Sequence, residues 1–365
     1  MRMKTVVQDF NPSDLTNRVS KFTLETNVDV PNPDKYEVVV QVKACGLSVI
    51  KHKVLTEVFK KNPPNKCMVG QDVAGVIVKV GSSVTNVKLD DAVVGCVPLD
   101  SPYSGCGEYC LMSEYDVVKK PDKLSYEDVA AVVGDCVKAY TALYYQARLC
   151  GGDTVLVMDG ATPSGSVCLQ LASHWGAKVI TTASSQDERG FIESLHLPVA
   201  QVIDLNHRGN LLLSCVMEET GGIGVDVLVD NGVKMFSNEE DNKFIDEKFK
   251  YPLPHKHDVI SCLGMSGKWI TSQSDLQLDP PDSQKLFLRG GSVNFLFEQV
   301  WSLSYAQHGR YQRILLQNYI LQDAMDKVDK GVIRCKIAKT VTLEGAVDAL
   351  KTLEDIRIGK VVVKI

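Results

Sequence analysis

Short runs of β-branched and apolar residues, separated by turn formers, fill the first third of the chain. Tyr36 to Lys43, Val73 to Val80, Ala92 to Val97 and Glu108 to Met112 each read as a strand, and together they predict a small β-rich domain. From Ser125 the pattern takes up the helical period, which predicts one helix over Ser125 to Gly134 and another over Ala139 to Leu149. The clearest strand–helix–strand unit follows. Asp153 to Asp159 is a buried strand, Gly160 to Ser166 a tight loop, the stretch up to His174 a helix, and Lys178 to Thr182 the next strand. Further strands are expected at Gln201 to Ile203, Val225 to Asp230, Val259 to Leu263 and Val293 to Phe297, with a helix over Leu211 to Thr220. Strands alternating with helices predict a parallel, doubly wound sheet, so the fold class is α/β.

Between Ser237 and Asp258 the chain is polar and without period, and it ends in Pro252-Leu253-Pro254-His255-Lys256-His257; it reads as an exposed inserted loop. The tail, with a helix over Glu344 to Leu353 and a strand from Lys360 to Ile365, resumes β character and is expected to complete the first domain. At 365 residues the chain exceeds the size of one hydrophobic core. The expected division is therefore residues 1–125 with 331–365 as the β-rich domain, and 126–330 as the doubly wound domain carrying the insert 237–258.

Composition narrows the partners. A net charge of −5, spread without long runs of one sign, argues against direct nucleic-acid binding. No run approaches the roughly 20 apolar residues of a membrane span, and the N-terminal stretch lacks a signal-peptide pattern, so a cytoplasmic location without membrane insertion is expected. The 11 cysteines include no Cys-x-x-Cys and read as reduced, mostly core residues. Cys106 and Cys110 have no partner pair downstream and do not make a metal site.

Three separated motifs carry a resemblance: Gly70-Gln71-Asp72-Val73-Ala74-Gly75-Val76-Ile77 with Val80-Gly81 and Asp91, then Gly221-Gly222-Ile223-Gly224-Val225-Asp226, then Gly359-Lys360-Val361-Val362. In this order they resemble the medium-chain dehydrogenase/reductase superfamily, and its quinone oxidoreductase branch in particular. The resemblance covers nearly the whole chain. It implies a GroES-like β-rich domain joined to a Rossmann-type sheet that holds NADP, with hydride passing to a quinone or an α,β-unsaturated carbonyl.

Zinc-dependent members of that superfamily bind catalytic metal through thiolate and imidazole ligands. The corresponding places here hold Ser48, Gln71 and Gly134, so no zinc is expected, and His52, His255 and His257 are not read as ligands. Relatives cradle the pyrophosphate over a Gly-Ala-x-Gly-Gly-Val-Gly loop, where bare backbone lets N–H groups approach the phosphates. This chain has Gly160-Ala161-Thr162-Pro163-Ser164-Gly165-Ser166, in which serines replace two glycines and Pro163 removes a donor. The expected contacts are Gly160, Ala161, Thr162, Ser164 and Gly165 with a weakened grip. Ser184 and Ser185 stand where an NAD enzyme carries an acid, and Arg189 lies within reach of a 2′-phosphate, which favours NADP.

Ser48, Lys51, Gln71 and Lys138 are the polar residues the resemblance places around the acceptor, as candidate donors to an oxyanion. Asp72 is expected to stabilise the turn between strands. A second reading is a catalytically silent scaffold. The altered loop and the insert suggest a fold kept for assembly, and the resemblance extends to subunits of an early-endosomal Rab effector complex linked to messenger RNA transport. In either reading a homodimer is expected through the sheet edge near Val293 to Phe297.

Overall fold

The computed structural model describes residues 1–9, 21–48, 50, 52–60, 64–205, 211–236, 253–303 and 310–365. The chain divides into two compact units, Met1–Val137 with Glu298–Ile365, and Lys138–Phe297. The boundaries differ from those expected at 125/126 and 330/331, and side-chain packing is the reason. Helix α2 (Tyr126–Tyr140) lies on the β-rich unit, and Asn318 of the long helix Arg310–Asp329 donates to the Val117 carbonyl of the same unit at 3.3 Å.

Among the described residues the first unit holds two sheets. β1 (Arg2–Asp9) pairs antiparallel with β2 (Phe22–Asp29) and with the short β4 (Lys66–Met68). The larger sheet centres on β3 (Glu37–Leu47), flanked by β5 (Asp72–Val80), β7 (Tyr109–Ser113) and β16 (Lys360–Lys364). It continues through β6 (Ala92–Cys96) to β8 (Val117–Lys119) on one side, and to β15 (Ile337–Thr342) on the other. The C-terminal strand therefore lies hydrogen-bonded beside β3, with Val361 opposite Leu47. Alternation along β3 sends Val38, Val40 and Val42 into a core shared with Ile77, Val93 and Val363. Helices α1 (His52–Val58), α8 (Arg310–Asp329) and α9 (Ala346–Lys351) complete this unit.

In the second unit six parallel strands run in the order β11, β10, β9, β12, β13, β14. Their spans are β9 (Thr154–Val157), β10 (Lys178–Ala183), β11 (Val199–Asp204), β12 (Val225–Val229), β13 (Leu263–Thr271) and β14 (Ser292–Phe295). Helices α3 (Pro163–His174), α4 (Gln186–Ser194), α5 (Leu211–Glu219), α6 (Lys256–Cys262) and α7 (Pro280–Arg289) alternate with them. Val155, Leu156, Val227 and Leu228 are buried on both faces, the signature of central strands in a covered parallel sheet. β14 forms the sheet edge, and Phe295 on it is exposed. Among the described residues no helix is long and apolar enough to cross a membrane.

Three local expectations change. The two helices predicted after Ser125 are one, α2, which runs through Gly134 to Tyr140 and passes into a widened helical turn over Thr141–Gln146. The apolar run Val259 to Leu263 is not a strand. It forms most of α6, capped at its start by the His255 side chain, and the strand begins only at Leu263. A five-residue apolar run does not distinguish helix from strand by itself; packing of Val259, Ile260 and Cys262 in one cluster with Leu212 and Val216 of α5 decides it.

The third change concerns the insert. Residues 237–252 lie outside the described residues, but Pro254 is buried, and Lys256 lies in the interior rather than on an exposed loop. Its ammonium donates to the Gln277 carbonyl at 2.9 Å and to Asp279 at 2.8 Å, and it lies 3.2 Å from the fully buried Asp282. His257 also pairs with Asp282. These contacts staple α6 to the start of α7. Lys256→Met strands a buried carboxylate and is expected to lower the unfolding free energy by about 3 kcal/mol. Urea unfolding of the variant measures this, and a loss below about 0.5 kcal/mol would show that the staple is not a major stabilising contact.

Candidate active site

The parallel sheet reverses its winding between β9 and β12, and in such sheets a crevice opens beyond the carboxyl ends of the strands at the reversal. A small crevice lies there, lined by Met158, Thr162, Ser164, Gly165, Asp230 and Asn231, with Lys138 and Leu296 among its walls. Of the expected contacts, Lys138, Thr162, Ser164 and Gly165 are thus brought together. Asp230 and Asn231 were not anticipated. Asp230 is buried and caps the end of β12: its carboxylate accepts from Trp269 Nε1 at 2.6 Å and from the N–H groups of Gly232 and Ser272 at 3.0 Å. Burial pushes its carboxyl above the ordinary range, with these donors acting in the opposite direction.

The loop from β9 to α3 is shaped by its own contacts. Gly160 is glycine because a Cβ there would meet Thr181 Oγ1 at 2.1 Å, a packing reason independent of any ligand. Thr162 is the N-cap of α3; its hydroxyl accepts from the Gly165 N–H at 3.2 Å and donates to the Asp159 carbonyl at 2.8 Å. The Ser166 N–H goes to the Thr162 carbonyl, and Ser166 Oγ to the Pro163 carbonyl. The N–H groups of Gly165 and Ser166 are thus both engaged by Thr162. Ala161 is buried. Asp159 adds a carboxylate, held in a left-handed conformation with φ 55°, that accepts from Asn231 Nδ2 at 3.2 Å across the reversal point.

The residues after β10 serve the helix that follows. Ser185 caps α4 by accepting from the Glu188 N–H, while the buried Glu188 carboxylate returns to the Ser184 N–H at 2.7 Å. The Arg189 guanidinium donates to the Val202 carbonyl of β11 at 2.7 Å and lies 3.9 Å from Glu193, so part of its donor capacity is used within the fold.

The β-rich unit contains a buried charge cluster. Lys360, at the start of β16, is 6% exposed, and its ammonium lies 3.0 Å from Asp72, itself 6% exposed, and 3.0 Å from Asp135. Its third contact is Ser48 Oγ at 2.7 Å. Extending the Val361–Leu47 register by one residue sets Lys360 opposite Ser48, so strand pairing alone brings the two together. Gly134 is glycine because a Cβ there would meet Asp72 Oδ1 at 2.1 Å, and this close approach of α2 delivers Asp135 to the cluster. Asp72 thus anchors a buried ion pair, a role the turn reading did not foresee. Burial works against the charge of Lys360, but Asp135 and Asp72 outweigh it and hold the amine above the ordinary lysine value.

Of the other residues expected around the acceptor, Lys51 lies outside the described residues. Gln71 exchanges two 3.0 Å hydrogen bonds with Gln299. As a zinc site, Ser48, Gln71 and Gly134 do not fit: a hydroxyl bonded to an ammonium, an amide paired to another amide and a bare backbone provide neither thiolate nor imidazole. Lys360 and Asp135 were missed in the sequence. The available signal was a lysine opening an otherwise apolar strand, Lys360-Val361-Val362-Val363.

A reversal-point crevice in a parallel sheet, joined in one chain to a β-rich unit of this topology, defines a protein of the dehydrogenase/reductase class. The alcohol dehydrogenase GroES-like domain matches residues 34–143. Quinone oxidoreductase-like protein 1 from Mus musculus is 42% identical over 93% of this chain and 94% of its own length. Human quinone oxidoreductase is 28% identical over 57% of this chain and 61% of its own. The crystal structure of an alcohol dehydrogenase superfamily protein from Novosphingobium aromaticivorans matches with a TM-score of 0.78 over the whole of both chains at 20% identity, a likeness of fold. The chain belongs to the medium-chain dehydrogenase/reductase superfamily, in its quinone oxidoreductase branch. These likenesses support an oxidoreductase.

The charge cluster has a pH signature. Lys360 has a raised folded-state pKa, so its stabilisation is fully present below the unfolded value of 10.5 and is lost as pH rises toward the folded value. The stability difference between the wild type and Lys360→Met is therefore expected to stay constant up to about that pH and to shrink above it, as measured by urea unfolding across the alkaline range. A difference that shrinks already between neutrality and pH 9 would contradict the pairing.

Proposed function

We propose that the protein is a zinc-independent reductase that passes a hydride from NADPH to quinones or α,β-unsaturated carbonyls, holding the dinucleotide weakly. The observation that carries this reading is the crevice at the reversal point, which Lys138 lines together with Thr162, Ser164 and Gly165 at the start of α3. A cation beside a helix N-terminus suits an anionic group such as a pyrophosphate. Against it stand the Thr162 cap, which engages donors, and the Asp159 carboxylate. NADPH is favoured over NADH because Ser184 and Ser185 follow β10 and the Glu188 carboxylate is buried on the Ser184 N–H; the exposed Asp187 beside it stands against that preference.

The second copy in a homodimer would pair along β14, whose outer edge carries no strand among the described residues. Sedimentation of the protein before and after Asn294→Pro tests that pairing. The scaffold reading, with its endosomal partners, gains no support from the fold or from the relatives reported above.

NADPH is expected to raise the melting temperature at sub-millimolar concentration and to be oxidised on addition of a quinone. No shift at millimolar NADPH would overturn the reading. Asp159→Asn removes a charge from the loop while keeping a residue that tolerates the left-handed conformation. It is expected to tighten NADPH binding roughly threefold to tenfold, less at high salt. Fluorescence titration at two salt concentrations measures this.

A further inference from the structure

Away from the crevice, the fold draws together one cluster of metal-ligating side chains. His257 lies in the first turn of α6, and Asp279 and Asp282 stand at the N-cap and in the first turn of α7. One ligand atom of each, an imidazole nitrogen and two carboxylate oxygens, lies within 4.8 Å of the others. All three residues belong to the parallel-sheet unit, and none lines the crevice. Asp282 is fully buried, whereas the side chains of His257 and Asp279 are 38% and 57% exposed, so the cluster opens to solvent on one side. Asp282 Oδ2 faces the Lys256 ammonium at 3.2 Å and accepts from the Asp279 N–H at 3.3 Å, while Oδ1 is turned to His257 Nδ1. That contact is not a hydrogen bond: both atoms are buried, and neither has a hydrogen-bonding partner among the described residues. A buried carboxylate oxygen without a donor is costly. A proton satisfies such a pair only close to the line between the two atoms. A metal ion needs no such line: in a tetrahedral site it stands at the apex, about 2.1 Å from each ligand, with the ligand atoms roughly 3.4 Å apart. His257, on the open side, supplies the small outward shift that this spacing requires.

We propose that His257, Asp279 and Asp282 form a structural site for a divalent transition ion of the zinc class, with water completing its shell on the open side. Imidazole beside carboxylate suits zinc-like ions better than magnesium or calcium, which take all-oxygen shells. Lys256 stands outside the shell: its ammonium holds one oxygen of each carboxylate and orients the other. One ammonium against two carboxylates, with His257 neutral as a ligand, leaves one negative charge for the ion to meet. Repulsion from that ammonium makes the affinity moderate. α7 supplies the partners that His257 lacks in its local sequence, which is why it does not read as a ligand there. The ion would clamp α6 onto α7 and touch no reacting group, so this site and the reductase reading stand or fall separately.

The test titrates chelator-treated, full-length protein with Co²⁺ and, in parallel, with Zn²⁺. Co²⁺ is expected to bind at micromolar concentration and to give the visible absorption of a low-coordinate ion, without the near-ultraviolet thiolate band that binding to any of the 11 cysteines would produce. Zn²⁺ should displace it and raise the melting temperature. His257→Gln, and Asp279→Asn, which keeps a good N-cap residue, should each weaken Co²⁺ binding at least about tenfold. If Asp279→Asn disturbs the fold, His257→Gln decides the matter. Binding only at millimolar concentration, a thiolate band, or unchanged affinity in His257→Gln overturns the proposal and leaves a proton as the only cation shared by His257 and Asp282.

Discussion

The β-rich unit depends on one buried ammonium. Lys360 draws together four elements: β16 that carries it, β5 through Asp72, α2 through Asp135, and the end of β3 through Ser48. Burying a lysine is expensive, and burying an acid is as well, so neither is tolerated alone. Together they constrain their surroundings. Gly134 must lack a side chain for Asp72 to lie against α2, and the C-terminal strand must pair with β3 in a single register. The cluster sets one ammonium against two carboxylates, and the remaining hydrogen of the ammonium goes to Ser48.

The parallel-sheet unit shows a comparable economy with a different outcome. Its crevice lies where doubly wound sheets bind ligands, yet the loop between β9 and α3 meets many of its hydrogen-bonding needs internally. Thr162 caps the helix, Ser166 closes on Pro163, and Asp159 spans to Asn231. Each contact stabilises the loop without a ligand and makes the same groups less available to one. Cap formation and phosphate binding compete for the same helix N-terminus, because both satisfy the same unpaired N–H groups. The position of the crevice and the strength of its grip are therefore separate properties.

Single residues show what local pattern did not reveal. Arg189 was read for a phosphate, and its guanidinium also has a partner within the fold, the Val202 carbonyl of β11. Lys256 belonged to a polar stretch that reads as solvent-exposed, and it became interior once Asp282 and Asp279 came to face it. The run Val259 to Leu263 was apolar enough for a strand and lies mostly in a helix, because burial against α5 satisfies it equally well. In all three cases the partner lies more than ten residues away along the chain.

By itself the sequence determined the alternation of strands and helices, the fold class, the tight loop after β9 and the unsuitability of Ser48, Gln71 and Gly134 as zinc ligands. These follow from local properties: hydrophobic period, glycine and proline placement, and the donor chemistry of individual side chains. Only the tertiary structure decided that α2 belongs to the β-rich unit, that the helix α6 replaces a strand, and that Lys360, Asp72, Asp135 and Ser48 form one cluster. Those residues stand at positions 48, 72, 135 and 360. What joins them is strand register and the close approach of a helix at Gly134, which are set by packing between distant segments and leave little trace in local pattern.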